Sequence, residues 1–373
     1  MKRALDISKQ RDLLKQEINV LIENTLPARI LQAAGSLIQS LTRRPNLPPW
    51  YVSTILLGII AIFPQVVVTL ILKDPDQIIG KELLWSITTE MMVLCIPILY
   101  FLSKYVLTTI RDHVIDDIEE HDNLIQLQEF LSEIGKPLRA MLVLILTCVI
   151  WSSIVLTSLS TLIIINPGIF LSVTIGNCIF GLIIYFMSWY MRFPSQLGNY
   201  QYKLYKLDPA KSEVINHISN LFVVPFFAGA VFQAAFILVI GFSFFTNKLQ
   251  KYRLAIDDPL LLVFIIPLFL VWIPFIVHFI NSQMAINKMI TTAKWHMLTD
   301  LQGQIHQQYA KPDFQLPKNI EAINKLMDLH ERLYNTYNSK LVVTRILSLL
   351  NQLILPLLAS LISIYINLFQ KKP

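Results

Sequence analysis

Apolar residues run along this chain in blocks rather than in strict alternation. "WYVSTILLGIIAIFPQVVVTLIL" and "PGIFLSVTIGNCIFGLIIYFMSWY" are uncharged over 23 and 24 residues, and a helix needs about 20 to cross a bilayer. Seven blocks are expected as spans: Trp50–Leu72, Leu83–Leu102, Ala140–Ile165, Pro167–Tyr190, Leu221–Thr246, Pro259–Ile280 and Ile346–Phe369. Asn166 and Pro167 break one overlong run into a hairpin of two spans, because proline cannot continue a helix from its N-terminal side. Connections after the first, third and fifth spans are short. Those after the second, fourth and sixth are long and charged.

The long connections carry a helical period of their own. In "NSQMAINKMITTAKWHMLTDLQGQIHQQY", Ile286, Ile290, Met297, Leu301 and Ile305 recur on one face, with Gly303 a weak interruption. Pro312 and Pro317 break the pattern. A second helix then gathers Ile323, Leu326, Met327, His330, Leu333, Tyr334 and Tyr337 on one side. Residues 281–345 therefore read as an antiparallel helical hairpin extending the sixth and seventh spans into the cytoplasm. The connection over 103–139 reads as helical to Gly135 and Pro137, and the one over 191–220 restarts as helix at Asp208-Pro209. Within residues 1–49, Ile30, Leu31, Ala34, Leu37, Ile38 and Leu41 form a stripe ahead of Arg43 and Arg44. That segment suits either the inner membrane interface or the side of the stalk.

The predicted fold is all-α and polytopic. Spans one to six occupy 50–280, and 346–373 holds the seventh span and an external C-terminus. The last span has a second pattern. From Arg345, steps of three and four residues pass through Ser348, Gln352, Pro356, Ser360, Ser363, Asn367 and Gln370. At roughly 100° per residue these positions share one face about 120° wide. Such a face either bonds to neighbouring helices or lines a watery path for ions. One helix per chain encloses a pore only if several chains surround an axis, so the pore reading entails a homo-oligomer.

Composition agrees with the pattern: 15% of residues are charged and mean hydropathy is +0.55, against about 25% charged in soluble domains. Of 31 Lys and Arg, 24 fall in the N-terminal segment, the three long connections and at Arg345, and 7 on the other side. The positive-inside rule then puts the N-terminus in the cytoplasm of a multi-pass plasma-membrane protein. This polarity is opposite to that of G-protein-coupled receptors, and Ile346–Phe369 lacks the lysine of a retinal pump. The net charge of +6 follows topology and implies no nucleic-acid partner. Cys95, Cys148 and Cys178 all lie in apolar blocks and read as packed thiols rather than disulfides. The first 20 residues lack a secretory signal pattern and read as mature sequence.

Glu90 is the one acidic residue well inside a span, about two turns from its expected outer end. An intramembrane carboxylate marks a cavity, an ion path or a proton site by default. The plainer reading bonds it to Gln65 or Gln233 of neighbouring spans. His113, Asp117 and His121 have metal-ligand spacing on a helix, but the crowded acids around them read better as a solvated face. His278 reads as an interfacial anchor. No phosphate loop, nucleophile elbow, kinase signature or metalloenzyme pattern occurs. Neither an enzyme nor a cofactor is expected.

The arrangement resembles the insect odorant and gustatory receptor superfamily of ligand-gated cation channels. Those have seven spans, an internal N-terminus, a cytoplasmic assembly region and a pore-lining last helix. In "ISIYINLFQ", Tyr365, Phe369 and Gln370 echo the terminal motif of gustatory members in altered order and spacing. The resemblance implies a tetramer whose last spans surround the axis, with a small-molecule pocket near Glu90. The alternatives are a secondary transporter using Glu90 and a non-conducting membrane scaffold or sensor signalling through its stalk. Seven spans without an internal repeat, and no Gly in spans two, three, six and seven, argue against the transporter.

Overall fold

The computed structural model describes residues 2–43, 49–72, 75–158, 167–205, 208–229, 231, 259–312 and 315–335. Among these, every regular element is helical, and a single isolated antiparallel bridge joins Ile118 to Tyr202. In chain order the α-helices are α1 (Lys2–Asn24), α2 (Leu26–Thr42), α3 (Trp50–Leu72), α4 (Pro75–Thr109), α5 (His121–Ser132) and α6 (Pro137–Ser158). They continue with α7 (Pro167–Tyr190), α8 (Phe193–Leu197), α9 (213–229), α10 (Pro259–Tyr309) and α11 (Pro317–Asn335).

Two stretches among the described residues are long and apolar enough to cross a membrane, Thr89–Asp117 and Phe170–Leu197. Two shorter apolar helices cover Trp50–Pro64 and Leu138–Ile150. Helices α3, α4, α6 and α7 pack side by side. Leu138, Met141, Leu142, Ile145, Leu146, Val149 and Ile150 line one face of α6 and are each 54–73% exposed. Ile55, Ile59 and Phe63 do the same on α3. The opposite face of α6 meets α7 closely. A Cβ on Gly181 would lie 2.9 Å from Leu144 Cα, so only glycine admits this approach.

Beyond the bundle lies a second, denser region. Val106, Leu107, Ile110, Val114, Ile115 and Ile118 at the end of α4 are wholly buried, as are Leu124 and Leu127 of α5. Leu14, Ile18 and Ile22 of α1 close over them, joined by Phe186, Trp189 and Phe193 and by Val214, Ile215 and Ile218. Polar ties bracket this core. Lys15 pairs with Asp116 at 2.7 Å, Arg11 donates to Ile118 O at 2.5 Å, and Trp189 Nε1 donates to Phe130 O at 3.3 Å. The amphipathic α2 lies on α3 and α4, burying Ala28, Leu31, Ala34 and Gly35 while Leu37 and Leu41 stay exposed.

Four local expectations are corrected. α4 starts at Pro75, ahead of the expected span start at Leu83, and continues to Thr109 in the connection expected to be helical. Its C-terminal extension is apolar because it enters the buried core, a use that hydropathy cannot tell from lipid contact. The connection after it is not one helix. Ile110–Val114 is a π turn, Ile115–Asp117 a 3₁₀ turn, and Ile118 is extended before α5 begins. His113, Asp117 and His121 therefore do not share a helical face, and no three His, Cys, Asp or Glu side chains are grouped to hold a metal among the described residues. Pro209 opens only a 3₁₀ turn, Pro209–Lys211. Ser212 then turns extended, its hydroxyl accepting from Tyr205 N at 2.7 Å, and helix resumes at 213.

α10 runs unbroken for 51 residues, through Gly303. Helix α11 begins at Pro317, where a missing N–H costs nothing. Leu298 and Leu301 meet Leu333 between the two, and Lys294 Nζ donates to Tyr334 O at 2.8 Å.

Candidate functional site

The register of α3 against α4 locates Glu90. Trp50 meets Phe101 edge to face at 5.1 Å between ring centres, while Gly58 faces Glu90, so the helices run antiparallel. Glu90 lies 11 residues from Phe101, about 16 Å along a helix, and roughly half the thickness of a hydrocarbon core. The carboxylate thus lies near the middle of α4, against the first half of α3.

Glu90 rests against bare backbone. A Cβ on Gly58 would stand 2.5 Å from Glu90 Oε2 and 2.9 Å from Oε1. Glu90 Oε1 is buried and has no hydrogen-bond partner. On the same two helices, Ser53, Thr54 and Ala61 of α3 and Thr89 and Val93 of α4 are buried. From α7, Ser172 Oγ donates to Ala61 O at 2.8 Å, one turn along α3 from Gly58. A lone carboxylate oxygen among small residues and apolar walls has two chemical uses. It takes up a proton, or it meets a cation that replaces the missing donor.

Sequence reasoning singled out Glu90 but missed Gly58, Ala61 and Ser172. The signal was present as Thr54 and Gly58 four apart, a small-residue spacing that lets membrane helices approach. Helix α3 carries Gln65, but its side chain and all of Gln233 lie outside the described residues. The stripe of Arg345, Ser348, Gln352, Ser360, Ser363, Asn367 and Gln370 also lies outside them.

His278 is not an interfacial anchor. It is 1% exposed, with its ring 4.5 Å from that of Tyr190 and 6.3 Å from that of Phe222, and neither ring nitrogen has a hydrogen-bond partner. Tyr190 Oη instead donates toward Leu221 O and Phe222 O at 2.6 and 3.0 Å, joining α7 to α9. The three cysteines are free thiols.

No protein-family model matches the chain, and neither a curated protein nor a solved structure matches it.

Proposed function

We propose that the chain is a seven-span plasma-membrane protein with a cytoplasmic N-terminus, acting as an oligomeric ligand-gated cation channel. The one-sided polar stripe from Arg345 to Gln370 carries this reading. Uncharged hydroxyl and amide side chains along a full span suit the passage of hydrated ions. Support for spanning comes from the apolar faces that α3 and α6 turn outward and from the two helices of sufficient length. The resemblance to the insect odorant and gustatory receptors favours a tetramer, with Glu90 in the pocket for a small ligand.

The test is single-channel recording on the full chain reconstituted in lipid. Unitary steps whose size changes in Asn367→Leu and Gln352→Leu are expected. Purified protein that stays monomeric in mild detergent rules the pore out.

A second reading, a secondary transporter, is favoured by one observation: the buried, partnerless Oε1 of Glu90 near the middle of α4. Saturable, proton-coupled uptake lost in Glu90→Gln would select it over the channel. A scaffold would show neither conductance nor uptake.

A further inference from the structure

The end of α4 is built as a joint. A π turn over Ile110–Val114 passes directly into a 3₁₀ turn over Ile115–Asp117, and Ile118 then leaves the helical region at φ −72°, ψ 125°. Widened and tightened turns in succession mark places where a helix is prepared to change pitch. The apolar side of the joint is sealed, with Ile110, Val114 and Ile115 buried against a core that includes Val214, Ile215 and Ile218 of α9. Its watery side carries His113, whose ring lies flat on that of His217 from α9, with centres 3.9 Å apart and planes 2° from parallel.

We propose that the His113–His217 stack is a proton-operated latch, holding the end of α4 against α9 while at most one ring is charged and releasing it when both are. Two imidazolium rings face to face at this separation repel, with His113 open to water and His217 partly covered. The latch stands whether or not the chain conducts. It links aqueous pH to the helix that also bears Glu90, 23 residues earlier.

The charges around the pair set its working range. Glu213 on α9 and Asp117 on the joint favour a charged His217, while burial, the largest influence, and the charge of His113 oppose it. The net effect holds His217 below its ordinary value. Asp112, beside His113, is engaged by Arg111, which also donates to Asn19 of α1. Asp116 is engaged by Lys15, and Lys203 and Arg11 face Asp117. Because the folded protein favours neutral His217, the closed joint is fully supported above about pH 6.5. That support is lost as pH falls through the lower folded value.

Hydrogen exchange on the full chain in lipid nanodiscs tests this, following residues 110–118 and 213–219 at about pH 7.5 and about pH 5.5 and correcting for intrinsic rates. Protection in both segments should fall about tenfold on acidification in the wild type, but less than twofold in His217→Phe, which keeps a ring in the stack and removes one charge. Should His217→Phe be unprotected at both pH values, His113→Phe makes the same comparison from the other side. Histidine-selective NMR should place the titration of His217 higher in His113→Phe than in the wild type. An equal acid response in the wild type and the Phe variants, no response in the wild type, or an unmoved His217 titration each overturns the latch.

Discussion

Helices α5 and α6 are close neighbours in the chain and both carry an apolar stripe at helical spacing, yet they turn it in opposite directions. α5 buries Leu124, Leu127, Phe130 and Leu131. α6 exposes Leu138, Met141, Leu142, Ile145, Leu146, Val149 and Ile150. The difference lies in the other face. On α5 the remaining positions include Asp122, Gln126, Gln128 and Glu129, which water can solvate. On α6 they include Leu144, Thr147, Cys148 and Ser152, which pair with α7. A helix without a solvated face has to be covered on both sides, by protein on one and by something equally apolar on the other. The comparison teaches that the polar face, more than the apolar one, decides which side of a helix turns inward.

The largest expected effect comes from testing the outward face directly. Ile145→Lys should reduce recovery in the membrane fraction sharply, since a lysine at the centre of a span costs about 2.5–3.5 kcal/mol on insertion. Undiminished recovery in membranes would break the contrast. The matched pair of alanine changes sharpens it. Leu127→Ala should lower unfolding stability by about 2–5 kcal/mol, while Ile145→Ala should stay within about 0.5 kcal/mol. Both are read from denaturant unfolding in the same detergent.

The covered face of α6 gives the next effect. Gly181→Val drives side-chain atoms into the Leu144 backbone and should cost about 1–3 kcal/mol, measured by thermal unfolding. Glu90→Gln removes a half-buried carboxylate whose Oε1 lacks a partner. It should raise stability by about 1 kcal/mol even as it abolishes a function that needs the carboxylate. Lower stability in Glu90→Gln would mean that the charge is satisfied.

The smallest effect belongs to the polar rim of the dense region. Glu133 pairs with Arg192 and with Arg139, and its backbone oxygen accepts from Tyr185 Oη at 2.9 Å. Burial pushes the Glu133 carboxyl upward most strongly as a single influence, but the hydrogen bonds and charges of Arg192 and Arg139 together hold it below the usual range. The contribution is therefore complete above the unfolded value of about 4.3 and is lost as pH falls through the lower folded value. Exposed arginine partners limit it to about 1 kcal/mol or less. Wild type and Glu133→Gln should differ by that amount at neutral pH and converge in acid.

Much of the helical content was legible because it follows from local rules. Pro317 opens α11 and Pro137 opens α6, each at a first helical turn. The unbroken period through Gly303 follows α10 to Tyr309. Glu90 was legible as an anomaly, a charge where hydropathy allows none. Its seat was not legible, because a glycine on another helix is only a small residue until the register of α3 against α4 sets it opposite a carboxylate. The His113–His217 stack was hidden for the same reason, its two members being 104 residues apart. Spacing within one helix set His113 beside Asp117 and His121, read as a solvated face, and the π and 3₁₀ turns separate them.

Taken alone, the order of residues determined that this chain is helical, where some of its helices open, and that stretches of it are too apolar for water. Those properties depend on side chains within a turn or two of one another. Tertiary structure decided which apolar face is covered, that the end of α4 is packed into the buried core, and which distant side chains meet at Gly58 and at His217. Such choices depend on helix register and crossing, where a shift of one residue rotates a side chain by about 100°, and no local pattern specifies that alignment.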